Sequence, residues 1–430
     1  MANDTNILNR QKMIYQVFPR QYSKTKDFKG VTKDLDRIKN LGTDIIYLLP
    51  IHPIGLKARK GSVGSPYAIS DYYQVNPDYG TLEDLKELVD GAHKRNMEVM
   101  IDIVINHTSR DSVLTKEHPE WFYRDEQGNF KNRVGDWSDV TDLDYNKREV
   151  WNYIINYLKY WAKYVDGYRC DVAPLLPIEF WLEAREEVKK IKPNFFWLTE
   201  SVHPGFIKYL RDEGYDAYSD AEMYQAFDAC YDYDIDDYFK GYLNNKSSLA
   251  RYLEEVLRQE MVFPKNYLKI RHLENHDQER IASFRSSEYE VRNLTALSFF
   301  IRGMGFVYAG QEFLNTNRPS LFEVDPIDFK TGKDISKLIK RLSEIKKSED
   351  GLITGAFNVL ENQNFATMKY ESKEHIYLGY FDLESTYEST AHIKEGIYNN
   401  LIDNQKVIVK NDQILSKKFP IIIKIDKEGN

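Results

Sequence analysis

Short apolar runs and amphipathic runs alternate along most of the chain. "MIYQVF" (13–18) reads as a strand. In "VTKDLDRIKNLG", Val31, Leu35, Ile38 and Leu41 fall at helical spacing, and Gly42 is a stop signal. "DIIYLLP" (44–50) is an unbroken apolar strand of the kind buried on both faces. "TLEDLKELVDGAHKRN" (81–96) opens with Thr81 and Asp84 at capping-box spacing and sets Leu85, Leu88, Val89 and Ala92 on one face. "EVMIDIVIN" (98–106) is a third strand. The pattern then predicts helices near 147–164, 178–190, 204–212 and 289–302, and strands at 166–171, 194–200, 215–220, 267–275 and 305–310. Eight strands alternating with helices predict a closed parallel (β/α)8 barrel, a TIM barrel of the α/β class.

Two stretches break the alternation. Residues 107–145 form an excursion after the third strand, rich in Trp, Asp and Arg. Beyond about 350, "FATMKYES", "HIYLGYFD", "GIYNNLI", "KVIVKN" and "FPIIIKI" are short strands between polar turns. The predicted organisation is a barrel over 1–106 and 146–349, a short excursion over 107–145, and a C-terminal all-β sandwich domain over 350–430.

Composition narrows the function classes. The 430 residues are 42% apolar, enough for a sizeable core. A net charge of −8 with no basic stripe argues against a nucleic-acid partner. Two cysteines, Cys170 and Cys230, imply no disulfide framework. The start, "MANDTNILNRQK", has no apolar secretory core. The most apolar long run, "LTALSFFIRGMGFVYAG", is broken by Arg302 and glycines and reads as buried core, not a membrane span. The expectation is a cytoplasmic protein with no membrane partner. Its oligomeric state is left open. Tyrosine is frequent at 31, which suits stacking on sugar rings, although most of these rings are expected at core edges.

Charged residues inside buried strands are paired or used. "DGYRCDVAPLLP" (166–177) carries Arg169 and Asp171 in such a strand, and period-two alternation points both the same way. In barrels of this class the active site forms at the C-terminal strand ends. There the third strand offers Asp102, Asn106 and His107, the fifth Glu200, and the seventh Asn275, His276 and Asp277. Convergent carboxylates suit cleavage of a glycosidic bond. One protonates the leaving oxygen, and another sits beneath the anomeric carbon. Arg169 beside Asp171 is expected to keep that acid ionised. Each element alone has a bland alternative: a structural ion pair for Arg169–Asp171, a loop brace for Asp102, a core histidine for His107. Their order on successive strands favours the joint reading.

"DIVINH" (102–107), "GYRCDVAP" (167–174), "LTES" (198–201) and "LENHDQ" (273–278), in that order, resemble the four signature regions of the α-amylase family, glycoside hydrolase family 13. "LGTDIIYLLPIHPI", "SPYAISDYYQVNPDYGTLEDLKELV" and "DVTDLDYN" are similar to further segments of that family. The resemblance implies Asp171 as nucleophile, Glu200 as general acid/base and Asp277 as transition-state stabiliser. It implies that Arg169 orients Asp171, that His107 and His276 hydrogen-bond the sugar, that Tyr67 stacks on it, and that Asp102 supports Arg169.

The chain also departs from the family pattern. Pro174-Leu175 stand where many members carry a Lys-His-like pair serving the leaving side. Asn106 matches a calcium ligand of many members, but "RQYSKTKDFKG" lacks the Asp/Asn-rich pattern that binds calcium in some relatives. The expectation is no cofactor and no bound metal. The short excursion predicts an open cleft. Cys170, between two mouth-facing residues, is expected to point outward and be inert. Asp136, Trp137, Trp121 and Phe122 are candidates for the cleft or for a small excursion core, the latter favoured for Phe122. The resemblance implies a retaining α-glucan hydrolase acting on α-1,4 bonds of maltooligosaccharides. An α-1,6-glucosidase or transglycosylase, and a non-catalytic binding subunit, stay open as alternatives.

Overall fold

A computed structural model describes residues 4–363, 365–386, 389–415 and 418–427. The outer limits of the predicted barrel and C-terminal domain, residues 1 and 430, lie outside them. β1 (Met13–Val17), β2 (Ile45–Leu48), β3 (Glu98–Ile103), β6 (Gly167–Cys170), β7 (Phe196–Thr199), β8 (Ala229–Tyr231), β9 (Lys269–Arg271) and β10 (Met304–Tyr308) close into a parallel barrel in the order β1-β10-β9-β8-β7-β6-β3-β2. Their apolar residues are buried on both faces, as strands wrapped by helices must be. Helix Leu82–His93 keeps the Thr81–Asp84 capping box and buries the four predicted residues.

The strands are shorter than predicted because pairing stops where side chains turn to the barrel mouth. Two elements need correction. The amphipathic run at 31–41 splits into Phe28–Thr32 and Leu35–Asn40. The sixth strand is not at 215–220. Ser219 and Glu222 form a capping box that starts a helical turn, Asp220–Met223. The strand is β8, three residues framed by acids. Asp228 at its start binds the Trp197 amide at 3.0 Å and Arg185 at 2.7 Å. Helices Asp236–Leu243, Leu249–Val262 and Ser336–Ser348 add to those predicted.

The excursion holds a two-stranded antiparallel ribbon, β4 (His107–Ser109) with β5 (Val140–Asp142). Phe122 is buried against Phe130, with ring centroids 5.1 Å apart, and Trp121 is buried and stacked on His118 at 3.8 Å. Both serve the small core of the excursion. The C-terminal domain packs a four-stranded sheet, Ala356–Asn362, Phe365–Glu371, His375–Asp382 and Ile421–Asp426, against a three-stranded one, Gly396–Asn399, Lys406–Lys410 and Gln413–Ile414. Phe365, Leu378, Tyr380, Val407, Val409 and Ile421 fill the space between. Cys170 and Cys230 are free and buried, and burial pushes both thiols up, as an inert role requires. Among the described residues no helix is long and apolar enough to cross a membrane.

One buried cation ties the excursion to the barrel. Arg133 Nε lies 3.0 Å from Asp142, its Nη1 donates to the Leu175 carbonyl at 3.0 Å, and its Nη2 donates to the Asn106 side-chain oxygen. Removing one partner of a buried ion pair strands the other. Arg133→Ala is therefore expected to destabilise the fold by about 3–5 kcal/mol in denaturant unfolding, and a loss within error of zero would refute this anchoring.

Candidate active site

The barrel register brings the acids together. Asp102 in β3 lies directly across from Arg169 in β6. The ladder continues past the strand ends: the Asp171 amide donates to Ile103 O at 2.9 Å, and the Glu200 amide to Cys170 O at 3.0 Å. Both acids therefore sit on hydrogen-bonded backbone, one step beyond their strands.

Arg169 is fully buried and contacts three carboxylates. Its Nη1 lies 2.9 Å from Asp102 and 2.9 Å from Asp171 Oδ1. Its Nη2 makes an ion pair with Glu200 Oε1 at 2.9 Å, without the alignment of a hydrogen bond. The second Glu200 oxygen accepts the Val172 amide at 2.8 Å. Val172 holds that amide in place from the left-handed region, φ 37° and ψ 38°, which a β-branched residue rarely adopts.

Asp102 also accepts the hydroxyls of Tyr47 at 2.5 Å and Tyr67 at 2.9 Å. The Tyr67 ring lies 5.6 Å from that of His276 and nearly parallel to it. Gln16 Nε2 lies 2.8 Å from His276 Nδ1, and His276 Nε2 lies 2.5 Å from the Tyr67 hydroxyl and 3.0 Å from Asp277 Oδ2. Asp277 stands at the exposed mouth, its amide donating to Asn275 Oδ1 at 2.9 Å. His107 is buried, 5.4 Å from the half-buried Trp137. Asp136 is exposed.

Burial pushes the Asp171 carboxyl well above the usual range; the facing Glu200 adds to this, and Arg169 opposes it. Arg169 pulls Asp171 toward the ionised form, as expected, but burial and Glu200 act against it. Burial also raises Glu200, against the pull of Arg169. The two acids titrate as a pair that retains a proton at higher pH than isolated carboxyls. Asp277 differs: partial desolvation at the mouth would raise it, but His276, Arg169 and Arg318 hold it below its ordinary value. Burial lowers His107, which favours a neutral ring.

All seven residues expected in catalysis or sugar binding meet at this mouth, with Asp102 beneath them. A cavity of about 310 Å³ is lined by Tyr67, His107, Trp137, Asp171, Glu200 and Asp277. A second, about 270 Å³, shares Glu200 and Asp277 and extends to His203, Phe206, Tyr233 and Lys240. Gln16, Tyr47 and Tyr233 belong to the site and were not expected in it. Gln16 carried a readable signal, a polar residue inside the apolar strand "MIYQV".

The side-chain oxygen of Asn106, which matches a calcium ligand of other family members, is the one Arg133 occupies, together with Asp142 and Leu175 O. Calcium needs six to eight oxygens. Here a guanidinium already fills the centre of the three, so the residues present do not fit the ion. Among the described residues no cluster of three or more His, Cys, Asp or Glu has metal-binding geometry.

The profile of the α-amylase catalytic domain matches residues 16–137 and 114–352, and that of the bacterial α-amylase C-terminal domain matches 351–423. The chain is 46% identical to an α-amylase from Lactobacillus plantarum of known structure, with a TM-score of 0.94 over 98% of this chain and 100% of that one. A maltogenic α-amylase from Thermotoga neapolitana is 32% identical, with a TM-score of 0.86 over 97% and 99% of the two chains. Among curated relatives, an α-1,4-glucan:maltose-1-phosphate maltosyltransferase of Picrophilus torridus is 25% identical over 83% of this chain, which spans 58% of its length. An intracellular maltogenic amylase of Bacillus subtilis is 26% identical over 83% of this chain, which spans 61% of its length. With four signature regions in order, a closed barrel that gathers them, and both domain profiles matched, the chain belongs to the α-amylase family, glycoside hydrolase family 13.

Proposed function

We propose that the protein is a retaining α-glucan hydrolase that cleaves α-1,4 bonds of maltooligosaccharides. The observation that carries this reading is the shared guanidinium. Asp171 and Glu200 contact neighbouring nitrogens of Arg169, which suits the short carboxylate separation of retaining enzymes, roughly 5–5.5 Å, not the wider gap that admits a water. The relatives named as α-amylases and maltogenic amylases support the α-1,4 linkage. The Bacillus relative, named intracellular, supports action in the cytoplasm.

In this reading the donor sugar stacks on Tyr67, and His107 and His276 hydrogen-bond its hydroxyls. Asp171 attacks the anomeric carbon while Glu200 gives its proton to the leaving oxygen. Glu200 then takes a proton from water, which releases the sugar from Asp171 with retained configuration. Asp277, held ionised, binds hydroxyls of the same ring as positive charge develops on it. No step uses a metal. A transglycosylase is the second reading, favoured by the sugar-sized second cavity and by the maltosyltransferase relative. There a sugar hydroxyl replaces water.

Maltoheptaose followed by the anomeric protons is expected to yield early α-anomer product. Early β-anomer would overturn the retaining reading, and longer chains would favour transfer. Glu200→Gln should lower kcat by about 10²–10⁴-fold and Asp171→Asn at least as much, both in protein that still folds to the native barrel by circular dichroism; near-native turnover in either removes its assigned role.

The raised carboxyls set the pH dependence. Binding of the pair's second proton removes the nucleophile, so the pair's upward shift moves the acid limb of kcat/KM above the ordinary aspartate value of about 3.9. Loss of the pair's last proton removes the general acid, so the same shift extends activity to higher pH. The expected profile is a bell with both limbs displaced upward. An acid limb at the ordinary value would contradict the burial argument. Chelator treatment is expected to leave both activity and Tm unchanged, because Arg133 is covalently part of the chain; a fall of several degrees would show a required metal.

A further inference from the structure

His107 has two ring nitrogens, and what it can do to a sugar depends on which of them carries the proton. Its neighbours decide the matter.

The chain of contacts starts at Arg133, which is held from several sides. Its Nε and its own amide donate to Asp142 Oδ2 at 3.0 and 3.1 Å, and Nη1 donates to the Leu175 carbonyl at 3.0 Å. The guanidinium also lies 5.2 Å from the centre of the Tyr123 ring. Nη2 is left for the side chain of Asn106, a fully buried residue. A guanidinium has donors and no acceptor. The Asn106 atom that meets it is therefore the oxygen, because the NH2 group there would set donor against donor. With the oxygen so placed, the NH2 group faces the other way, 3.2 Å from His107 Nδ1. An NH2 group only donates, so Nδ1 accepts and carries no proton. The neutral ring then keeps its proton on Nε2. The Tyr67 backbone carbonyl, which also accepts from this ring, calls for the same N–H.

The charges around the ring leave it neutral. Burial does most to disfavour a second proton. Asp142, the cross-strand partner of His107, and Asp139 pull the other way, and Arg133 opposes them.

We propose that Arg133 is a positioning residue that acts through Asn106 to hold His107 as the Nε2–H tautomer, so that this histidine meets the sugar as a hydrogen-bond donor and not as an acceptor. The sugar contact rests on the hydrolase reading above; the tautomer does not. His107 lines the cavity beside Asp171 and Glu200. A fixed donor there leaves the hydroxyl it meets with its own hydrogen free for another acceptor at a mouth rich in carboxylates, so one orientation of that hydroxyl is selected. One arginine of the excursion thus sets the donor pattern of the site without touching the substrate.

The test is long-range proton–nitrogen NMR of the full chain with 15N-labelled histidine rings, the His107 signals being assigned by their loss in His107→Gln. Wild-type protein at neutral pH is expected to show His107 protonated at Nε2 and bare at Nδ1. A proton on Nδ1 would overturn the proposal. Asn106→Asp keeps an oxygen for Arg133 but turns a second oxygen toward the ring, so Nδ1 should gain a proton; a bare Nδ1 in a variant that folds by circular dichroism would break the relay. Arg133→Gln, whose amide both donates and accepts, should let Nδ1 carry the proton in a measurable share of molecules, and Arg133→Lys, a donor only, should return it to Nε2. An unchanged ring in Arg133→Gln would remove Arg133 from the relay. Should that variant not fold, wild type, Asn106→Asp and Arg133→Lys decide the proposal, a mixed ring in the lysine variant counting against it. Because the ring signals need no substrate, failure to turn over maltoheptaose would sink the hydrolase reading and leave the tautomer standing.

Discussion

The barrel mouth is organised around one buried guanidinium. A lone buried cation is costly, and so is a lone buried carboxylate. Arg169 and the acids Asp102, Asp171 and Glu200 are tolerated there because each compensates another. The match is deliberately incomplete in its charge: three carboxylates face one positive group, and Asp277 adds a fourth nearby. The surplus of negative charge keeps a proton on the site and lowers the energy of any positive charge that develops in a bound sugar ring. Stability and chemistry therefore draw on the same contacts.

Cations of the chain also hold the periphery. Arg133 sits among oxygens from the end of β3, from β5 and from the loop after β6. Lys60 links the β2 loop to the excursion from the other side. The excursion is thus pinned to the barrel at two points by side chains, one buried and one at the cleft. His107 and Trp137, whose rings lie 5.4 Å apart, belong to this excursion and line the cleft.

Much of this was legible in the sequence. The alternation of apolar and amphipathic runs carried the barrel, and acids at strand ends carried the site, because side-chain alternation and strand-end geometry are local rules. What escaped was set by long-range pairing. β8 is three residues long between two aspartates and has no periodic signal of its own; its neighbours in the barrel make it a strand. The helix start at Ser219 competed for the predicted strand and won through a cap. Arg169 beside Asp171 is visible in the sequence, while the burial and the approach of Glu200 that raise the Asp171 carboxyl are not. Nothing local distinguishes Arg133 from the other polar residues of the excursion; its role is set by oxygens from three separate segments.

The left-handed turn at Val172 has a wider consequence. The amide that holds Glu200 belongs to the peptide plane that begins at Asp171, and that plane is rigid. The spacing of the two carboxylates is therefore written into one covalent unit and one guanidinium, and not into the loops that shape the cleft. A change in those loops leaves that unit untouched. Which sugars are taken and how their configuration ends are, in this scaffold, set by different parts of the chain.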